Sequence, residues 1–370
     1  MRLLTVARFA FLVAVTALAA CSSNASMPTG GGAAPQSFSG HLPKATSKMI
    51  AMTTASHVVP VVHLSHRKSW MKSLAKHTQY LLYVSNQAAG TVDVFAYKSQ
   101  KGHLVGELTG FQFPYGECQD GSGNVYITDF GATTIVEYAH GGTTPIKTLN
   151  DTYGYPIGCA VNPLTGDLAV ANYEAAGSGC MGGIVVYAGA TGDGTNYVDQ
   201  DFMYLFPPGY DPNGNLFVQG QPTSGSAGLA ELQSGGTALV TVPMSGGTIY
   251  FPGGIQWDGQ YMAATDQSYQ GGHTSGVYKV SVSGSAATIV GSVELTDSAC
   301  TQGSVSYNDT VQPFLNGTNK PFHAIVGGNL YCDNRYDFWN YIRGGDPKRN
   351  LPGAIAPLLA YGQTVSAMKR

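Results

Sequence analysis

The chain has 370 residues, of which 49 are Gly and only 11% are charged, against roughly 7% Gly and 25% charged residues in an average soluble protein. That balance excludes an intrinsically disordered chain, which is charged and poor in aromatics, and a helical bundle, which is rich in Ala, Glu, Lys and Leu. The formal net charge of −3 gives no basic footprint for nucleic acid, and the abundance of Gly, Tyr, Val and Thr suits many short strands joined by tight turns.

Arg2 and Arg8 give the chain a positive start, and an apolar run follows from Phe9 to Ala20. The run is shorter than the about 20 apolar residues that span a bilayer and fits the core of a secretory signal at 1–20. It ends in Leu18-Ala19-Ala20-Cys21. Small residues ahead of a cysteine at this place resemble the lipobox of bacterial lipoproteins. The resemblance implies that Cys21 is acylated (palmitate among its chains) and becomes the N-terminus. It also implies an extracytoplasmic, membrane-anchored place in the bacterial cell envelope. Ser22 in place of Asp points to the outer membrane.

Residues 21–79 are expected to lie outside the folded domain. To about Ser47 they are small and polar and offer little apolar surface to offset ordering entropy, so they read as a tether. Residues 48–79 hold His57, His63, His66 and His77 beside Arg67, Lys68, Lys72 and Lys76. The His spacing matches no metal-ligand pattern and the basic neighbours oppose a cation. The segment therefore reads as solvated and basic, with Trp70 and Met71 as the residues to pack on the domain.

From residue 80 a unit repeats. Val92-Asp93-Val94-Phe95, Ile135-Val136-Glu137-Tyr138 and Ile184-Val185-Val186-Tyr187 are its clear copies. Leu229-Ala230-Glu231-Leu232, Val277-Tyr278-Lys279-Val280 and Phe338-Trp339-Asn340-Tyr341 are weaker ones. Their starts lie 43, 49, 45, 48 and 61 residues apart, the period of a four-stranded propeller blade. In 114–149 four strands can be drawn, at about 116–120, 124–129, 134–139 and 145–149, separated by Gly- and Asx-rich turns. The sixth unit, about 301–351, is the most degraded, with an insertion expected near 308–321. The first unit lacks its inner strand, and Gly362 to Ser366 aligns with Gly116 to Asp120. The expected fold is thus all-β: a six-bladed propeller over 80–370, its first blade completed by a C-terminal strand that removes two sheet edges. Five or seven blades stay open because the sixth unit is weak.

The pattern GNVYITDFGATTIVEY resembles NHL-type six-bladed propellers. The segments PYGECQDGSGNVYITDF and GCAVNPLTGDLAVAN are similar to propeller lipoproteins of soil bacteria. The resemblance covers about 80–366 and speaks to architecture rather than activity, since propellers host many functions.

Five cysteines remain after Cys21. Disulfides are permitted outside the cytoplasm. The unit alignment puts Cys159 with Cys180, and Cys300 with Cys332, at one end of the third and sixth blades. Those two bridges are expected, with Cys118 left buried and unpaired. A Cys118–Cys159 bridge across adjacent inner strands is the rival.

The end of the propeller carrying the inner-strand starts and the loops after the second strands is the candidate binding face. Asn86, Glu117, Asp129, Asn172, Asp266 and Asp333 are assigned to it. Their plain role is to fix turns through short side chains. No catalytic residue, metal ligand or cofactor is assigned. Lactonase and gluconolactonase propellers bind a divalent cation near the axis through Glu, Asn and Asp, and the alternative reading is such an enzyme, or a lyase, with Ca²⁺ at Glu117. Inner-strand positions occupied by Cys159, Ile255 and Gln363 supply few of those oxygens, so a binding or scaffold module leads. Tyr115, Tyr153, Tyr155, Tyr173 and Tyr269 near this face would suit an envelope protein, a glycan or a small molecule. The protein is expected to be a monomer, held to the membrane by its lipid alone.

Overall fold

The computed structural model describes residues 67–87, 89–98, 101–175, 181–222, 225–272 and 274–296, and then 308–313, 325–329, 336–339, 343–345, 349–350 and 363–367. Among these residues there is no α-helix, and the strands form six sheets in chain order, antiparallel but for one short strand added to the fifth. The second sheet follows the sequence reading closely: Pro114–Gln119, Val125–Asp129, Thr134–Tyr138 and Pro145–Asn150 pair in turn. The third sheet repeats it with Gly154–Val161, Leu168–Ala175, Gly183–Tyr187 and Thr195–Val198. In the fourth, two short strands, Tyr204–Leu205 and Gly209–Tyr210, share the inner position against Leu216–Gln221. The fifth runs Pro252–Trp257, Met262–Asp266, Ser275–Ser283 and Ala286–Leu295, with Met244–Ser245 added parallel to its outer strand.

Two elements differ from expectation. Residues Asn308–Pro313, expected inside an insertion, form the inner strand of the sixth sheet and pair with Ile325–Asn329. The described chain also includes residues before 80, where Trp70 and Met71 pack on the domain as expected but do so as a strand. Trp70–Met71 pairs with the outer strand of the first sheet, Trp70 opposite Glu107 and Met71 opposite Gly106, and Ser73–His77 adds one 3₁₀ turn. A Cβ on Gly106 would overlap the Met71 sulfur, so only glycine leaves room for this side chain.

The first sheet holds Tyr80–Asn86, Thr91–Lys98 and Lys101–Thr109, and Gln363–Ala367 pairs antiparallel with Tyr80–Val84. The first five sheets each have two buried faces, and strand alternation assigns them to different neighbours. Val125 and Ile127 pack with Leu81, Tyr83, Val92 and Val94 of the first sheet. Tyr126 and Ile135, on the other face, pack with Leu168, Val170 and Val185 of the third. Ala169 and Ala171 then meet Leu216 and Val218 of the fourth, and Phe217 meets Ile255, Met262 and Tyr278 of the fifth. Burial on both faces is why the second strands read as near-continuous apolar runs rather than alternating ones.

Consecutive inner strands approach closely where glycine allows it. A Cβ on Gly116 would lie 2.5 Å from the Ile157 carbonyl oxygen, and one on Gly158 2.6 Å from Pro207 Cβ. The Ile255 N–H donates to the Pro207 carbonyl at 3.1 Å, joining the fourth and fifth sheets through their inner segments.

That approach overturns one expected pairing. Cys118 and Cys159 form a disulfide between the inner strands of the second and third sheets, with Cα atoms 5.5 Å apart. The Cys159–Cys180 assignment fails because Cys159 does not begin its strand. The strand starts at Gly154, and Cys159 lies opposite Val170, away from the Ala175 end where the following loop leaves the sheet. Cys21, Cys180, Cys300, Cys332 and Asp333 lie outside the described residues.

Candidate binding face

Asp129 ends the second strand of its sheet, and its carboxylate is fully occupied by main chain. Oδ2 accepts the Gln112 N–H at 2.8 Å, and Oδ1 accepts those of Phe113 at 2.7 Å and Ala132 at 3.3 Å. Asp266 does the same three sheets on: Oδ2 accepts Tyr250 N–H at 3.0 Å, Oδ1 accepts Phe251 at 2.9 Å and Ser268 at 2.8 Å. In both places the carboxylate ties the segment entering the inner strand to the turn leaving the second strand. Burial raises the Asp129 pKa, and the four main-chain N–H groups facing it pull the other way.

Asn172 holds the equivalent position in the third sheet with one acceptor fewer. Its Nδ2 donates to Asp151 Oδ2 at 3.1 Å, and Asp151 Oδ1 takes the Tyr153 N–H at 2.9 Å. Asp151 was not picked out from the sequence. The signal for it is the Asn itself, which needs a nearby carboxylate to reproduce the staple. Asn86 is simpler: Oδ1 accepts the Ala89 N–H at 3.3 Å.

Glu117 stands apart. It is 2% exposed, in the middle of its inner strand, and Oε1 accepts the Ser85 hydroxyl of the first sheet at 2.6 Å while Oε2 has no partner. Burial pushes its pKa up to about 8, with the Ser85 hydrogen bonds opposing. Among the described residues no three His, Cys, Asp or Glu side chains come together around one point. Asp129 and Asp266 spend their oxygens on backbone, so these residues do not assemble the oxygen set that a Ca²⁺ site requires.

What gathers at this end of the sheets is aromatic. Phe130, directly after Asp129, stacks on Tyr155 with centroids 4.9 Å apart and meets Phe113 and Tyr115 at 5.9 Å each. Tyr173, directly after Asn172, stacks on Tyr204 at 4.2 Å and meets Phe206 edge-on at 6.2 Å. Phe206 continues to Phe251 at 6.1 Å. Phe113, Tyr115, Phe130, Tyr155, Tyr173 and Tyr204 are all half-buried. The 9%-exposed Glu174 links the two groups: its carboxyl lies near the phenols of Tyr155, Tyr173 and Tyr204. Burial raises the Glu174 pKa. Burial, then the neighbouring charges, also hold these three phenols above their ordinary value. Where the aromatics stop, amides take over. Gln221 and Gln267 are buried at the corresponding ends of the fourth and fifth sheets, and Gln87, fully buried at the end of the first, has no partner on either polar atom.

Residues 201–311 match the model of a family described as "Family of unknown function (DUF6454)". No curated protein matches the sequence. Among solved structures, a chain of the nidogen/laminin complex is similar over its whole length and 79% of this chain, at 14% identity and a TM-score of 0.59. A Bacteroides caccae protein of unknown function is similar over 99% of its length and 78% of this chain, at 13% identity and a TM-score of 0.52. A functionally unknown protein from Desulfotomaculum acetoxidans gives the same coverage and identity with a TM-score of 0.50. At such identities the likeness concerns the fold alone, which is all-β and propeller-like.

Proposed function

We propose that this chain is a non-catalytic binding module: a closed six-bladed propeller of the NHL type, anchored in the cell envelope through acylated Cys21, that takes its ligand at the aromatic end of the second to fifth sheets. The observation that carries this reading is the run of half-buried rings from Phe113 to Tyr204, backed by buried Phe206 and Phe251, with Glu174 set among tyrosine hydroxyls. Rings offer flat apolar faces, and the acid and phenols offer hydrogen bonds beside them, which suits a glycan or another ligand with both kinds of surface. Inner strands that lie against one another in sequence order, with Gln363–Ala367 beside both Pro114–Gln119 and Asn308–Pro313, support the ring.

The test uses the mature chain on an array of defined oligosaccharides. Retention that falls at least tenfold in Tyr155→Ala and Tyr204→Ala, with the melting transition kept, is the expected result. The reading is overturned if the protein instead hydrolyses gluconolactone, chelator abolishes that activity, and Glu117→Ala removes it together with one equivalent of Ca²⁺.

A further inference from the structure

The charge of this chain is split along its length. Residues 1–92 carry eight Lys and Arg and no acid; all 22 acidic residues, with the other 11 basic ones, follow from Asp93 onward. The C-terminal part of that basic stretch is fixed on the protein rather than loose. Met71 packs over Gly106, and the Lys72 N–H donates to the Val105 carbonyl at 2.7 Å. Ala75 is buried beside Gly141, and a His140 ring nitrogen lies 2.8 Å from the Thr78 carbonyl. Met71 and Ala75 pack into the core shared by the first and second sheets. Lys68, Lys72 and Lys76 are exposed, and Trp70, Leu74 and Leu104 are 39%, 46% and 37% exposed. Glu107 lies opposite Trp70 with one carboxyl oxygen buried, and Asp93 lies opposite Glu107 in the next strand.

We infer that this patch is a docking surface for an anionic bilayer, which it meets with Lys68, Lys72 and Lys76 and with the exposed side chains of Trp70, Leu74 and Leu104. Ammonium groups and an indole beside exposed leucines are the composition of an interfacial contact, with charge for the headgroups and apolar bodies for the acyl boundary. A soluble anion would use the lysines and leave the apolar side chains idle. The place fits as well. The patch lies where the described chain begins, and is thus the described part of the domain closest in sequence to the proposed anchor at Cys21. The inference uses the anchoring proposal for orientation only, and the surface is tested without it.

The experiment takes the mature chain with Cys21→Ser, which carries no acyl group, and measures co-sedimentation with vesicles rich in phosphatidylglycerol and with vesicles of phosphatidylcholine alone. Binding to the former and not the latter is expected, weakening as salt rises. Each basic residue at such a surface contributes roughly a fivefold change in partitioning. Lys68→Gln/Lys72→Gln/Lys76→Gln should therefore lower binding by well over tenfold. Trp70→Ser/Leu74→Ser should lower it severalfold while leaving its salt dependence in place. All five side chains are exposed, so an unchanged melting temperature verifies the fold. No binding to phosphatidylglycerol vesicles at low salt, equal binding to both vesicles, or indifference to the triple lysine variant overturns the inference. So does a patch that captures an acidic protein while ignoring vesicles. Failure of acylation would instead appear as an unmodified Cys21 in the mass of the membrane fraction and leaves the vesicle result standing.

Discussion

The Ser85 hydroxyl donates to Glu117 Oε1 at 2.6 Å between the first and second sheets, with both residues buried. The bond fixes one carboxyl oxygen and leaves the other without a partner, an arrangement tolerable for a neutral acid and costly for an anion. Desolvation therefore outranks the Ser85 hydrogen bonds and the pKa reaches about 8.

That shift sets a direction for stability against pH. Folded Glu117 keeps a proton that the unfolded glutamate releases near 4.5, so the folded state binds more protons in between. The stabilisation is complete below the unfolded value and is lost as pH rises through about 8. Asp93, raised to about 7 by burial and then by Glu107, acts in the same sense over a lower window. Denaturant midpoints should fall from pH 5 to pH 8. Glu117→Gln should flatten the fall, leaving the Asp93 part, and be more stable than the parent at pH 8 by about 1–3 kcal/mol. Parallel profiles for the two proteins would show that Glu117 is not the group responsible.

The bridge between Cys118 and Cys159 joins residues 41 apart in sequence. A cross-link of that span stabilises by about 2–4 kcal/mol, mainly by restricting the unfolded chain. Cys118→Ala/Cys159→Ala should lose that amount, and non-reducing peptide mapping should recover a Cys118–Cys159 peptide. A peptide joining Cys159 to Cys180 would contradict the placement of both inner strands.

The order of strands within a sheet was legible because each turn carries its own chemistry. In the second unit Asp120 accepts the N–H groups of Ser122 and Asn124 at 2.8 and 2.9 Å, and Asp211 repeats this with Asn213 and Asn215 at 2.9 and 2.8 Å. Relations between sheets were not legible. Whether Cys159 meets Cys118 depends on how far along its strand it lies, and a four-residue repeat does not set the inner-strand start. The same holds for Gln219, whose Nε2 reaches the carbonyls of Gly253 and Gly254 in the next sheet at 3.0 and 3.1 Å. Asp129 and Asp266 were correctly placed at strand ends, but Phe130 after Asp129, and Tyr173 and Glu174 after Asn172, carry the features of the candidate face. A run of tyrosines reads equally well as packing until the stacking partners are known.

The pairing of Gln363–Ala367 with Tyr80–Val84 joins the last described strand to the first full strand of the domain. Without it, Tyr80–Val84 would present open main-chain groups on a strand whose Leu81, Leu82, Tyr83 and Val84 are wholly buried. Such an edge is a template for another chain. A net gain of about 1 kcal/mol per ladder hydrogen bond makes the strand worth a few kcal/mol, a large part of the 5–15 kcal/mol typical of a domain. Deleting residues 360–370 should therefore lower the melting temperature and yield aggregates or dimers. Val365→Pro removes one backbone donor opposite Leu82 and should shift the transition the same way by a smaller amount. A synthetic peptide of residues 360–370 added to the truncated chain should restore part of the loss in proportion to its concentration. A truncated chain that stays monomeric with the parental melting temperature would show that this strand does not close the first sheet.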